Sequence, residues 1–174
     1  MRVDCLEIVP DHLHRRLWEI YEESFRKLRE LSPVRQYFLQ GEFVEAMTDP
    51  GSLKFLLWRD TELIGIGIAT NQLSRVPWIN AHFYRLHFPE ALERGRLWYI
   101  EAIAVPPGLR GGRAAIRLLQ AMFREWDKRG EVGAFDFDSS NESLVRLLKF
   151  VGGKSASGGF QELGTQHYWA FKKG

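Results

Sequence analysis

The stretch AVPPGLRGGRAAIRLL, residues 104–119, constrains this chain more than any other. An apolar strand runs through two prolines into a loop with two adjacent glycines flanked by arginines, and then into a helix. A helix that starts just after glycine presents unpaired N–H groups and the positive end of its macrodipole, which together favour a bound phosphate. The expectation is a nucleotide pyrophosphate held at the start of this helix. No G-K-[ST] follows, which excludes a P-loop, and the absence of G-x-G-x-x-G disfavours a dinucleotide fingerprint.

The rest of the composition narrows the class. At 174 residues the chain is most economically one domain, residues 1–174, able to bury a single core. Its 45% hydrophobic and 26% charged residues exclude a disordered or fibrous chain. No apolar run approaches the roughly 18 to 20 residues of a membrane span, and Asp4 and Glu7 interrupt what a secretory signal would need. A cytoplasmic protein without a membrane partner is expected. The lone Cys5 forms no internal disulfide, agrees with a reducing compartment, and reads as filler in a strand.

A net charge of +2 argues against a nucleic-acid footprint. The basic residues are local: Arg113, Arg117, Arg124 and Lys128 recur at helical spacing opposite Ala115, Leu118, Leu119, Met122 and Trp126. This face is either simply solvated or, at its Arg110 and Arg113 end, also meets a phosphorylated ligand. The histidines show no H-x-x-x-H spacing and no Asp/Glu cluster suggests a ligand set, so no metal is expected.

Along the chain, residues 3–9 read as a short strand, and Pro10–Asp11 open a helix whose Leu13, Leu17, Ile20, Tyr21, Phe25 and Leu28 share a face. Ser32–Pro33 suggest the N-cap and first residue of a second helical region reaching Met47, broken near Gly41. LKFLLWRDTELIGIGIAT, residues 53–70, reads as a hairpin turning at DTE, with Gly65 and Gly67 lightening one face. Residues 71–96 are irregular and aromatic, a length that is usually functional or ordered by its own short helix. RLWYIEAIAV, residues 96–105, is the strongest central strand. The basic helix follows from near Gly112 to a Gly130 C-cap, then AFDFD, residues 134–138, as a strand. Asn141 to Phe150 form a short helix before Gly152 and Gly153, and GGFQEL with TQHYWAFK read as a final antiparallel pair around Gly164. This order implies an α/β (α+β) fold, a mixed sheet with helices on both faces.

At these residues the chain resembles the GNAT superfamily of acyl-CoA-dependent N-acyltransferases. Its members carry a Q/R-x-x-G-x-G/A pyrophosphate loop between the fourth strand and the next helix. LRGGRA, residues 109–114, matches at Gly112 and Ala114, with Leu109 departing from the first position. The family also follows its fifth strand with N-x-x-A-x-x-L-Y-x-x-x-G. NESLVRLLKFVG, residues 141–152, matches at Asn141, Leu147 and Gly152, with Leu144 for the alanine and Leu148 for the tyrosine. The resemblance implies a GNAT-like, mostly antiparallel sheet with a splay between strands 4 and 5. It implies that backbone groups of Ile103 and Val105 pair with pantetheine as an added strand. The amides of Arg110, Gly111, Gly112, Arg113 and Ala114 would then cradle the pyrophosphate, with Asn141 nearby. The alternative for the glycines is a plain tight turn into a helix.

Acyl transfer to an amine needs the neutral amine, and free alkylamines hold their proton up to a pKa of about 10, so a base is required. Glu101, in YIEAIAV, is the candidate, because the resemblance puts an acidic residue of this strand in that role and an apolar strand would raise its pKa. The bland alternative is a glutamate that leaves the sheet for solvent or caps a neighbouring amide. In the family the departing thiolate is met by the tyrosine that Leu148 replaces. Ser140, Ser143 and Asn141 stand nearby as substitute donors or simply as N-caps. Trp78, His82, Phe83, Tyr84, His87 and Phe88 either wall an acceptor or acyl pocket or pin the long loop to the core.

The resulting expectation is an acetyl or other acyl group moved from acyl-CoA to a small-molecule amine, with a protein amine as a further acceptor class. A non-catalytic acyl-CoA-binding module and an enzyme using a longer-chain or carrier-protein thioester stay open. A homodimer through exposed C-terminal strands is allowed.

Overall fold

In the computed structural model, which describes residues 1–33, 35–109, 112–138, 142–153 and 159–170, the alternation of strand and helix signals becomes one five-stranded sheet in the order β1-β2-β3-β4-β5. The strands are β1 (Arg2–Leu6), β2 (Ser52–Arg59), β3 (Glu62–Thr70), β4 (Leu97–Ala104) and β5 (Val132–Ala134). Neighbours run antiparallel except β4 and β5, which are parallel. The β2–β3 hairpin turns at Asp60, whose φ of 55° lies in the left-handed region that Asp tolerates.

Helices cover both faces, which is why β2 and β3 are apolar almost without alternation. On one face α1 (Asp11–Leu31) and α2 (Gln40–Thr48) bury Leu17, Ile20, Tyr21, Phe43 and Met47 with Leu56, Ile66, Ile68, Ala102 and Ala104 of the sheet. On the other, α5 (Arg113–Arg129) and α6 (Glu142–Gly152) bury Ala115, Leu118, Leu119, Met122 and Leu148 with Leu53, Phe55, Leu57, Ala69 and Val105. Gly67 lets α5 come close: a Cβ there would stand 2.6 Å from the Met122 sulfur. Between β3 and β4 the aromatic segment folds into α3 (Ala81–His87) and α4 (Pro89–Glu93), with Asn80 capping α3 through the His82 and Phe83 amides. Among the described residues no helix is long and apolar enough to cross a membrane.

Two irregularities in β4 set up the site. Ile68 pairs with Ala102 and Ala69 with Ile100, so Glu101 is the extra residue of a β-bulge. The bulge keeps Glu101 on the face of Leu97 and Tyr99 and shifts Ala102 and Ala104 onto it as well; all five are buried. The β4–β5 ladder, meanwhile, spans only Leu97↔Val132, Trp98↔Gly133 and Tyr99↔Ala134. Past Tyr99 the two chains diverge, the expected splay.

Four sequence expectations are corrected. Strand β1 ends at Leu6 rather than residue 9. Ser32–Pro33 close α1 instead of opening α2: the Ser32 amide donates to the Leu28 carbonyl at 2.9 Å, and Ser32 is extended (φ −102°, ψ 129°), as a residue before proline prefers. Helix α2 starts at Gln40, where the Glu42 carboxylate accepts from the Leu39 amide at 2.8 Å. AFDFD contributes only Ala134 to β5, which spans Val132–Ala134, because the pairing with β4 ends at Tyr99↔Ala134. Residues 159–170 form no strand; their alternation meets no buried face, and Trp169 is 92% exposed.

Candidate active site

Glu101 faces the interior with Leu97 and Tyr99, where it is 9% exposed and the Ser52 hydroxyl donates to its Oε2 at 3.4 Å. Burial pushes its carboxyl up to about 7, against the Ser52 hydrogen bond and the Lys54 charge, while Asp49 adds to the rise. The carboxyl therefore changes charge near neutrality. The solvent-facing alternative for Glu101 is excluded.

Beneath it lies a fully buried cation. Lys54 of β2 donates through Nζ to the carbonyls of Glu7 at 2.7 Å and Ser52 at 3.0 Å and to that of Asp49. Burial pulls this ammonium down to about 8, with Asp49, Glu101 and Glu7 resisting. Lys54 thus fastens the end of β1, the end of α2 and the start of β2 together.

Across the splay, Asp136 accepts from the Tyr99 hydroxyl. Burial pushes its carboxyl up to about 6, while its own backbone N–H and the Gln36 side chain pull it down. Tyr84 of α3 is raised by burial and then by the Asp136 charge. Asp136, Tyr84, Gln36, Phe88, Trp98 and Ile100 are among the residues lining a cavity of about 1460 Å³; Glu101 does not line it.

The loop before α5 makes a short turn at Pro107–Leu109 and resumes at Gly112; Arg110, Gly111, Ser140 and Asn141 lie outside the described residues. Gly112 has φ −93° and ψ −172°, a conformation open to any residue. The nearest atom to a Cβ there would be the Leu109 carbonyl oxygen, at an ordinary 3.5 Å. Neither strain nor packing against the described residues asks for glycine. The amides of Arg113 and Ala114 fall in the first turn of α5, where helix geometry leaves them without an intrahelical partner. Arg113 and Arg117, with Met1, Ile116 and Gln120, line a second hollow of about 530 Å³.

Ile103 pairs with Gly67 of β3, and on its other side no strand stands among the described residues. The Val105 carbonyl accepts from the Ser24 hydroxyl of α1 at 3.0 Å. Leu148 is fully buried in the α5–α6 core. The loop aromatics divide: Trp78 packs edge-on to Phe38 at 5.0 Å and pins the segment, whereas Tyr84 and Phe88 face the large cavity.

Sequence reasoning singled out Glu101 and the α5 loop as candidates and passed over Lys54, Ser52, Tyr99 and Asp136. A lysine inside LKFLLW and an aspartate alternating with phenylalanines in AFDFD were the available signals.

These features meet a known pattern: the model of the acetyltransferase (GNAT) family matches residues 14–152. The chain belongs to the GNAT acetyltransferase family. No curated protein matches it. Among solved structures, the GNAT fold here is similar to an aminoglycoside acetyltransferase, meta-AAC0020, from an uncultured soil metagenomic sample, solved with trehalose. The TM-score is 0.58 at 11% identity, covering 98% of this chain and 96% of that one. It is also similar to AAC(6')-Iy in complex with the bisubstrate analogue CoA-S-monomethyl-acetylneamine (TM-score 0.56, 14% identity, 99% and 100% covered), and to Tetrahymena GCN5 (0.54, 12%, 85% and 78%). At these identities the likeness is one of fold. Membership of the GNAT family carries acyl transfer as the general chemistry.

Proposed function

We propose that this GNAT protein moves an acetyl or other acyl group from acyl-CoA directly to a primary amine in a ternary complex, with Glu101 as a base. The observation that carries this is the buried bulge carboxylate beside the splay, titrating near 7. Such a group takes a proton at neutral pH far more readily than an exposed glutamate.

The CoA moiety suits the residues present. Gly112, the N-cap of α5, is not crowded by the described residues and would let a pyrophosphate approach the α5 amides of Arg113 and Ala114, with the Arg113 guanidinium adding charge. The unpaired edge of β4 at Ile103 offers backbone groups to the pantetheine amides. Arg110, Gly111, Val105 and Asn141 are proposed with them. Acyl-CoA brings the activated acyl group, and the protein's part is to hold it, exclude water and take the proton of the attacking nitrogen. A small-molecule amine is the proposed acceptor, in keeping with AAC(6')-Iy, solved with an acetylneamine conjugate of CoA.

Buried Leu148 favours one second reading, a module that binds acyl-CoA without turnover. Release of CoA thiol with a panel of amines, lost in Glu101→Gln, supports catalysis by Glu101. A saturable thermal shift with CoA esters but no thiol release with any amine selects the binding module. Thiol release that Glu101→Gln leaves unchanged removes Glu101 as the base.

A further inference from the structure

Tyr99 and Ala134 are the last paired residues of β4 and β5. Two residues beyond each lie Glu101 and Asp136, equivalent positions on the two diverging chains. Residues two apart in extended chain share a face. The hydrogen bond from Tyr99 to Asp136 brings Asp136 to the side of the sheet on which Tyr99 and Glu101 lie. Of the two carboxylates, only Asp136 borders the large cavity. The group an incoming amine meets from the cavity is therefore Asp136, while Glu101 sits in the bulge off the cavity lining.

We propose that Asp136 is a second catalytic carboxylate, one that receives the acceptor's ammonium from the cavity and takes its first proton. The inference rests on the acyl-transfer reading above. An ammonium must lose two protons to become an amide, and two carboxylates in unlike surroundings suit two transfers. In the first, an N–H bond breaks, an O–H bond forms on Asp136, and the proton leaves through the cavity to water. In the second, the nitrogen lone pair forms the C–N bond as its next proton passes through water to Glu101, which stands off the cavity lining. The C–S bond breaks with its electron pair on sulfur, and Glu101 returns that proton to the sulfur. One ammonium and one thioester give one amide, one thiol and one proton. Glu101 thereby serves in place of the family tyrosine that Leu148 replaces.

The groups facing Asp136 are Tyr99 of β4, Tyr84 of α3 and the neutral Gln36 of the α1–α2 connection. Glu125 of α5, Lys149 of α6 and Asp138 line the same cavity. Asp136 is pushed up to about 6 by burial, so it is largely a proton acceptor at neutral pH.

Thiol release is measured against pH for wild type, Asp136→Asn, Tyr99→Phe and Glu101→Gln, using an alkylamine and an arylamine that is neutral at pH 7. Asp136→Asn is expected to lower kcat/KM for the alkylamine by about 100-fold or more and to spare most of the arylamine rate. An equal loss with both amines would reduce Asp136 to a structural role, and no loss would remove it from the reaction. Should Asp136→Asn fail to fold, Tyr99→Phe decides. Removing the hydroxyl that stabilises the carboxylate raises the lower of the two steps in the acid limb of kcat/KM, the Asp136 step near 6 beneath the Glu101 step near 7, by roughly one pH unit, and an unmoved lower step overturns the assignment. If wild type releases no thiol with any amine, the acyl-transfer reading itself fails and the role of Asp136 falls with it. Wild-type turnover matched by Asp136→Asn defeats the Asp136 assignment alone.

Discussion

Replacing Glu101 by glutamine should make the protein more stable, and only above acidic pH. Burial raises the carboxyl from 4.5 to about 7, so the folded state resists ionisation that the unfolded chain accepts. The relative stability of the protonated form is fully present below the unfolded value and is lost as pH rises through 7. At pH 8 wild type forgoes about 3 kcal/mol, whereas at pH 5 the loss is under about 1 kcal/mol. Glutamine keeps an oxygen to accept the Ser52 hydroxyl and carries no charge to desolvate. In a chain of this length about 3 kcal/mol corresponds to a rise in Tm of roughly 6 to 12 °C. Melting curves of both proteins at pH 5 and pH 8, followed by tryptophan fluorescence, would measure it. A difference that stayed flat with pH, or a Glu101→Gln variant less stable at pH 8, would refute the buried, near-neutral carboxyl on which the proposed chemistry depends.

Other substitutions test other parts. Lys54→Met removes the donor shared by the Glu7, Asp49 and Ser52 carbonyls and should cost about 3 kcal/mol in urea titration. In the same variant the Glu101 pKa should climb further, because the Lys54 charge holds it down. Leu148→Tyr restores the family residue in sequence but forces a hydroxyl and extra volume into a filled core; destabilisation of about 1 to 3 kcal/mol with no gain in rate is expected from melting and thiol assays. Gly112→Glu should weaken CoA binding at least ~10-fold by calorimetry while leaving Tm almost unchanged, because none of the described residues crowds a side chain there.

The parts legible in the sequence are those where one local signal acts alone. Periodicity and the DTE turn define the β2–β3 hairpin, and Gly112 and Gly130 bracket α5 as expected. Ser32–Pro33 is chemically fit either to end a helix or to begin one, and α1 claims it because Leu28 offers a carbonyl. The C-terminal alternation is genuine, but a strand needs a neighbour, which residues 159–170 do not have among the described residues. Asp136 showed only as a carboxylate between phenylalanines in AFDFD; its surroundings come from Gln36, Tyr84 and Tyr99, three elements far apart in the chain. Glu101 was visible as a carboxylate in an apolar strand, but the bulge that brings Ala102 and Ala104 onto its face arises only from the mismatch with β3.

The Lys54 clamp gives the chain's first turn a say in the site's acid–base set point. One ammonium is shared among the backbone at Glu7, Asp49 and Ser52, and the Ser52 hydroxyl leans on Glu101. Loosening residues 6–9, remote in sequence from the reacting groups, would leave Lys54 short of a partner and shift more of its charge toward Glu101. The optimum pH would then drift downward with every residue at the cavity intact, so working pH can diverge between relatives through substitutions in the first ten residues.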